Sequence, residues 1–215
     1  MSLANPLAKA TFADQLQIAD VKFMPQWQQQ MSATGGGETL YSDRAPMRWM
    51  ADITCGPQLH ADAEGIMALI NSRAGGLKTV LIYNPKLPYP SSDPDGSTFG
   101  AATPVVGTIT DQLHVAFTGM PIGYVIPLGT YFQIIFGTSR YYLGQFAEPR
   151  TADGAGAVAS VEITPALPAS VAAGDAVTLL KPSGKFRIVP NSAYPSTVGA
   201  LHSAITFSAE QTYGA

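Results

Sequence analysis

Apolar and polar residues alternate along the stretch PMRWMADIT, residues 46–54. A period of two places every second side chain on the same face of a strand, and one of the two faces then meets a hydrophobic core. The apolar face carries Met47, Trp49, Ala51 and Ile53. The pattern therefore predicts a half-buried strand.

Helical spacing replaces this alternation in the next segment, HADAEGIMALINSRAGG. Asp62 and Glu64 lie where negative charge favours a helix start, Arg73 lies where positive charge favours a helix end, and Gly75 follows as a stop signal. The apolar residues recur at helical spacing, at Ile66, Leu69 and Ile70. These signals predict one short helix over residues 61–74.

Beyond the helix, the sequence predicts strands separated by turns. The first covers residues 77–84, and a long loop rich in Pro, Ser and Gly follows at 85–104, of a kind that is usually functional or ordered by a neighbour. The remaining predicted strands cover residues 105–110, 112–118, 130–136, 140–147, 157–164, 176–181, 185–189 and 203–208. Many short strands with regular turn residues indicate a mainly β fold, a barrel or a sandwich, with one short helix.

The first 45 residues allow two interpretations. The stretch FADQLQIADVKFMPQWQQQ can form a strand that ends at Phe23 or a helix that is broken at Pro25. Ile18, Val21 and Phe23 are poorly placed for a helical stripe, which favours the strand. The segment ATGGGET at 33–39 then predicts a flexible hairpin tip.

Charged residues are scarce, at 13% of a 215-residue chain whose hydrophobic share is 46%. A typical soluble protein has about 25% charged residues. Two explanations stay open: partner proteins cover much of the surface, or the composition has drifted toward Ala, Gly and Pro in a GC-rich source. The length suits one large or two small domains with a continuous core.

The formal net charge is −3, and the basic residues form no run. Because phosphate binding needs a basic patch, we expect no sequence-specific nucleic-acid binding. The start MSLANPLAKATFADQ lacks a basic region and an apolar region, and no apolar run reaches about 18 residues. The sequence therefore predicts neither a standard export signal nor a membrane span.

One motif suggests a cofactor. Within DGAGAVA, Gly154, Gly156 and Ala159 have the G-x-G-x-x-A spacing of a dinucleotide-binding turn, and Asp175 lies about 20 residues downstream, where such sites place a ribose-binding carboxylate. The motif needs a helix directly after the glycines, but AVASVEITPALP alternates and then contains prolines. We therefore predict that residues 153–156 form a mobile hairpin tip between two strands, and that Asp175 belongs to a turn.

Other candidate chemistry is sparse. His60, His114 and His202 are far apart in the sequence, and none has metal-ligand spacing to Cys55, the single cysteine. That cysteine excludes an internal disulfide, suits a reducing compartment and is expected in the core. SSDPDGS at 91–97 lacks the final glutamate of a calcium loop, which favours an Asp-Gly turn. No G-x-S-x-G elbow occurs.

The sequence thus predicts no catalytic, cofactor-binding or metal-binding residue, no cofactor and no enzymatic activity. Aromatic residues are concentrated in one predicted hairpin around 137–139, where they could stack on a carbohydrate or fill a core. Without basic neighbours the core is favoured. These residues are Tyr131, Phe132, Phe136, Tyr141, Tyr142 and Phe146.

The order of these features resembles a known family. TGGGET, a Trp-containing strand, one helix, TVLIYNPKLPYPSSDPDGS, GDAVTLLKPSGKFRIVP and a terminal ITFSAEQT follow one another. This order is similar to the distal tail proteins of long, non-contractile-tailed (siphovirus-like) bacteriophages and of gene-transfer particles of alphaproteobacteria. The similarity covers residues 35–211 and depends on strand and turn patterns.

The resemblance implies a tail-tube-like β-barrel, formed by residues 1–84 and part of 105–215, with the helix 61–74 packed against it. It implies a second β-rich region within 105–215, with the boundary left open. It further implies a homo-hexameric ring in the tail tip of the virion, assembled in the host cytoplasm. That ring joins the tail tube protein to the baseplate hub protein and lets DNA pass without specific binding. The family has no active-site residues to transfer.

A second class of function stays open, a carbohydrate-binding β-sandwich that adsorbs to the host surface. It would use the tyrosines near 140–142 and the loop 85–104. A cell-wall hydrolase is disfavoured, because paired carboxylates or a metal cluster would be needed. In a ring, the loops 85–104 and 33–39 would be candidates for contacts between rings.

Overall fold

A computed structural model describes residues 3–213, and in this range the fold is mainly β with one α-helix, as predicted. Residues 1, 2, 214 and 215 lie outside it. In chain order the elements are β1 Ile18–Ala33, β2 Thr39–Cys55, β3 Gln58–Leu59, α1 His60–Asn71, β4 Thr79–Tyr83, β5 Val105–Ile109, β6 His114–Thr118, β7 Val125–Ile126, β8 Tyr131–Phe136, β9 Arg140–Phe146, β10 Arg150–Thr151, β11 Val158–Thr164, β12 Ala176–Thr178, β13 Ser183–Ile188, β14 Tyr194–Val198 and β15 His202–Gln211.

An open antiparallel sheet has the order β1-β2-β15-β13-β4, and β3 and β14 pair with the first half of β15. The alternation predicted for β2 is confirmed. One face of the sheet supplies a core whose members include Met47, Trp49, Ala51, Ile53, Ile205, Phe207 and Ala209, all buried.

The predicted helix is confirmed as α1, which buries Ala63, Ile66 and Ile70 and belongs to the same core. It ends at Asn71, before the predicted 74. Ala74 and Gly75 have φ values of 51° and 64°. Because an α-helix cannot continue through left-handed residues, the chain turns away here.

Six strands close a barrel in the order β11-β6-β5-β12-β8-β9, and β9 pairs again with β11. Aromatic rings fill its interior. The ring centroid of Phe117 lies 5.4 Å from that of Phe132 and 5.5 Å from that of Phe146, and Phe132 and Phe146 are 4.5 Å apart. The edge-to-face and tilted geometries suit the quadrupoles of the rings.

The position of the barrel differs from the expected one. The resemblance placed it in residues 1–84 and part of 105–215, with the helix packed against it. In the structure the closed barrel lies within residues 105–178, and the helix packs on the open sheet. The cause is the antiparallel pairing of β13 with β4, which joins Ser183 to Tyr83 and returns the chain to the sheet after the barrel.

The barrel and the sheet share a hydrogen-bonded junction. Trp49 in the sheet donates its indole N–H to the carbonyl oxygen of Leu143 in the barrel at 2.9 Å. Ser183 donates its backbone N–H and its hydroxyl to Gln133 Oε1, each at 2.8 Å. All four residues are buried. Because buried polar groups are costly to leave unpaired, these bonds fix how the two parts meet.

The first strand corrects the prediction for the N-terminus. β1 does not end at Phe23 but continues through Pro25 to Ala33. Proline is tolerated because β1 is the edge of the sheet, where one side of the backbone needs no ladder bond. The predicted tip is the short turn between Ala33 and Thr39, in which Thr34 N–H donates to Glu38 O at 2.8 Å.

The opposite edge of the sheet, β4, is covered by residues 3–17. Leu7 donates its N–H to Thr79 O and accepts from Leu81 N–H, both at 3.0 Å. The apolar side chains of Leu7 and Phe12 are buried in the sheet core. The N-terminal segment therefore closes this edge.

A polar cluster links the N-terminal segment, β4 and the chain returning from the barrel. Asp14 Oδ1 accepts from the Tyr83 hydroxyl and from Lys181 Nζ, each at 2.8 Å. Burial, and then the hydrogen bond to Asp14, raises the pKa of Tyr83 to about 12. Since the neutral phenol is favoured in the fold, its contribution to stability is present below pH about 10 and is lost as the pH rises toward 12.

Replacement of Trp49 tests the junction. Trp49→Phe removes the indole donor and leaves the buried Leu143 carbonyl unpaired, so the free energy of unfolding should fall by about 1–3 kcal/mol in chemical denaturation. Trp27→Phe is the control, since Trp27 is 59% exposed, and its effect should stay within about 0.5 kcal/mol. Equal losses in the two variants would contradict this role.

Candidate interaction surface

The hairpin of β1 and β2 projects beyond the rest of the sheet. β15 pairs with β2 only along residues 50–54, whereas β1 pairs with β2 back to Thr39. Residues 26–48 thus form a two-stranded arm, whose outer part packs against no other described strand. An isolated ribbon is marginal in water, because it buries little apolar surface.

Large apolar side chains lie exposed on this arm. Met31 and Tyr41 are direct cross-strand partners, so they share one face, and each is 66% exposed. Trp27, four residues before Met31 on the same strand, lies on that side as well. No Asp, Glu, Lys or Arg occurs in residues 23–37. A contiguous apolar patch of this kind marks a surface that a partner covers.

Two sheet edges are open among the described residues. The outer edge of β1 bonds to no strand, and β14 pairs only with β15. Every residue of β14 is exposed, and residues 188–209 around it contain no Asp, Glu, Lys or Arg. Proteins usually blunt such edges with charged residues, so these two edges remain able to pair with another strand.

The sequence did not predict β14 or the outer half of β1. Pro195 and the uniform exposure of β14 hide any alternation. The available signal was the turn residue Gly199, which has φ 75° and separates β-prone residues on either side. In β1, the apolar residues Trp27 and Met31 among glutamines carried a similar signal.

The glycine motif lies in a tight turn followed by a strand. Asp153 Oδ1 accepts from the N–H groups of Ala155 and Ala157, each at 2.8 Å, and β11 follows. The expected strand after the glycines is confirmed. The flanking strands differ from the predicted hairpin, since β10 pairs with β7, and β11 with β6 and β9. The carboxylate fills the turn with local bonds, which accounts for its order.

Asp175 also serves a turn, as predicted. Its Oδ2 accepts from Ala172 N–H at 2.8 Å, next to Gly174 with φ 93° and directly before β12. The carboxylate that a dinucleotide site would need is therefore engaged with the backbone of its own turn.

The histidines lie in different surroundings. His60 Nδ1 lies 2.8 Å from Ser203 Oγ and Nε2 lies 3.1 Å from Ala200 O, so His60 holds the β14–β15 turn. His202 is brought near it by pairing with Leu59. His114 bonds to Asp111 at 3.0 Å. Within residues 3–213, no group of three His, Cys, Asp or Glu side chains could hold a metal ion.

The loop 85–104 contains no strand, as predicted, and is ordered by a buried carboxylate. Asp93 Oδ1 accepts from Thr98 N–H at 3.0 Å and Oδ2 from Phe99 N–H at 2.8 Å. Gly96 has φ 73° at the Asp-Gly turn. The acidic residues therefore form local turns, which agrees with the interpretation favoured for SSDPDGS.

The aromatic hairpin is part of the barrel core, as favoured from the sequence. Tyr142 is fully buried and donates its hydroxyl to Pro165 O, while Tyr141 is partly buried beneath Lys185. A stacking platform at 140–142 is therefore wrong for Tyr142, which no ligand could reach. The other buried members are Tyr131, Phe132, Phe136 and Phe146.

The sequence matches no protein-family model, and it shows no significant match to a curated protein. In the described part of the chain no helix is both long and apolar enough to cross a membrane.

Alanine substitution separates the two motif glycines. Gly156 has φ 72°, and a Cβ there would overlap the carbonyl oxygen of Met120. Gly156→Ala should therefore lower the free energy of unfolding by at least about 2 kcal/mol. Gly154→Ala meets open space and should change it by less than about 0.5 kcal/mol in the same thermal or chemical melt. The reverse order would refute this description of the turn.

Cys55 should be protected from alkylation. The thiol is 1% exposed, and burial raises its pKa to about 11. Because the thiolate is the reactive form, iodoacetamide should label the native chain slowly at neutral pH and label the denatured chain quickly. Mass spectrometry of the labelled fraction measures this difference. Rapid labelling of the native chain would contradict the core position.

Proposed function

We propose that this protein is a structural ring subunit of a phage tail tip, the distal tail protein that joins the tail tube to the baseplate hub. The proposal assigns no catalysis to the chain. Copies of the chain associate side by side into the hexameric ring that the family resemblance implies, and DNA passes through the centre.

The two open edges of one sheet are the observation that carries the proposal. β1 and β14 lie on opposite sides of the sequence β1-β2-β15-β14, in which each neighbour is antiparallel. Because these strands are four in number, β14 runs opposite to β1. A copy rotated about an axis along the strands can therefore place its β14 beside β1 and continue the antiparallel order.

Such contacts are head-to-tail and close into rings when the rotation suits. A staggered register between copies is compatible with closure, as in other barrels of tilted strands. In a closed ring neither edge stays open, whereas a two-fold pairing of β1 with itself leaves both β14 edges exposed. The need to satisfy edge groups thus favours the ring.

The face of the sheet opposite the helix suits a channel wall. It pairs Lys22 with Asp52 and Arg187 with Glu210 across adjacent strands. Opposite charges in these positions leave the face near neutral. A near-neutral wall neither binds nor strongly repels the phosphates of passing DNA.

The arm supplies the apolar part of the contact. Its exposed Trp27, Met31 and Tyr41 would pack on a neighbouring copy, which also explains a surface with few charges. The carbohydrate-binding alternative loses its proposed platform, because Tyr142 is buried in the barrel.

Charge substitution on the arm tests the ring. The native chain should give six-fold rings in negative-stain images and hexamers in native mass spectrometry. The triple variant Trp27→Lys, Met31→Lys and Tyr41→Lys should stay folded, because all three side chains are exposed, but should remain monomeric.

The matched control adds the same charge elsewhere, at the exposed Leu77, Leu113 and Ile122. This triple lysine variant should still form rings. A native chain that is monomeric at every concentration, also in the presence of tube protein, would overturn the proposal, as would rings formed by the arm variant.

A further inference from the structure

A cleft of about 390 Å³ lies where the N-terminal segment meets the start of α1. Gln15 and Gln17 line one side, Gln58 and Asp62 supply polar groups from the sheet and the helix, and an apolar strip is formed by Ile66 and Leu69. Its size falls at the lower end of small-molecule sites. The cleft lies away from the arm and from the β1 edge used in the proposed ring.

Gln58 is the unusual member of this lining. The residue is only 5% exposed, and its amide nitrogen has no hydrogen-bond partner. A buried donor without a partner costs about 1–3 kcal/mol, so such groups are rare unless a ligand satisfies them. The terminal amide torsion is broad, and its rotation can turn the nitrogen toward the cleft at little cost.

The start of α1 adds further donors. The helix has no side-chain cap at Leu59, so the N–H groups of its first turn beside Gln58 lack a side-chain acceptor. Asp62 in this turn supplies a carboxylate acceptor, and Glu64 adds a second negative charge nearby. Two carboxylates at this site disfavour an anion, although the helix terminus alone would favour one.

The ligand must therefore be neutral, accept hydrogen bonds from amides and donate them to a carboxylate. Vicinal hydroxyl groups meet both demands, since each hydroxyl can donate and accept. The C–H face of a sugar ring can lie on the apolar strip of Ile66 and Leu69. We propose that this cleft binds one neutral saccharide unit, with Gln58 and Asp62 contacting its hydroxyls.

Saturation-transfer difference NMR on the full chain tests this site in whatever assembly the chain forms. The probes are glucose, N-acetylglucosamine, triglycine and inorganic phosphate at millimolar concentration. At least one of the two sugars should receive saturation, and triglycine and phosphate should not. Asp62→Asn should weaken sugar binding about tenfold, and its exposed position should leave the fold intact.

Gln58→Leu removes the amide and keeps a side chain of similar size. It should abolish the sugar signal and leave the melting temperature unchanged or raised, because an unpaired buried polar group is lost. Gln28→Leu on the arm is the matched control and should keep the signal.

Absence of signal from both sugars, a sugar signal that persists in Gln58→Leu, or a Gln58-dependent signal from triglycine or phosphate instead would overturn this inference. The outcome is independent of the ring, since a monomer that binds sugar here would support the site and refute the ring.

Discussion

Unpaired backbone N–H and C=O groups along sheet edges are the constraint on which the rest of this structure depends. Each such group is a strong donor or acceptor that must find a partner or remain in water. The barrel removes its edges by closing β9 onto β11, and the N-terminal segment covers β4 through Leu7. The edges of β1 and β14 remain, and they give the molecule its directions for association.

The junction between barrel and sheet transmits this order through the molecule. The antiparallel pairing of β13 with β4 brings the chain back beside its point of departure, and the Trp49 and Gln133 bonds fix the barrel against the sheet. The arm, by contrast, extends past these contacts. A rigid body with one exposed apolar arm is suited to assembly with copies of itself.

Much of the fold could be predicted from local pattern. The alternation around Trp49 identified a core strand, and the charge and glycine signals identified α1. The turn at Asp153 could be distinguished from a cofactor motif, because the next element alternates. Pairing partners could not be predicted, since alternation shows which face is buried and carries no information on which strand lies alongside.

The same limit explains what the sequence could not show about the candidate surfaces. The barrel lies in residues 105–178 because β13 joins β4, a contact between residues far apart in the chain. The open edges, and the unpaired Gln58 beside Asp62, likewise exist only once distant segments meet. Composition gave one valid hint, the scarcity of charge, which the uncharged arm and the uncharged surroundings of β14 now localise.

Hydrogen exchange of backbone amides tests the central claim, the pairing of β1 with β14 of a neighbouring copy, most directly. Deuterium uptake of the assembled protein should be compared with that of the monomeric arm variant by mass spectrometry of peptides. Peptides that contain β1 and β14 should be strongly protected in the assembly and exchange rapidly in the monomer, while β8 and β9 in the barrel should be protected in both. Rapid exchange of β1 and β14 in an assembled ring would contradict the account.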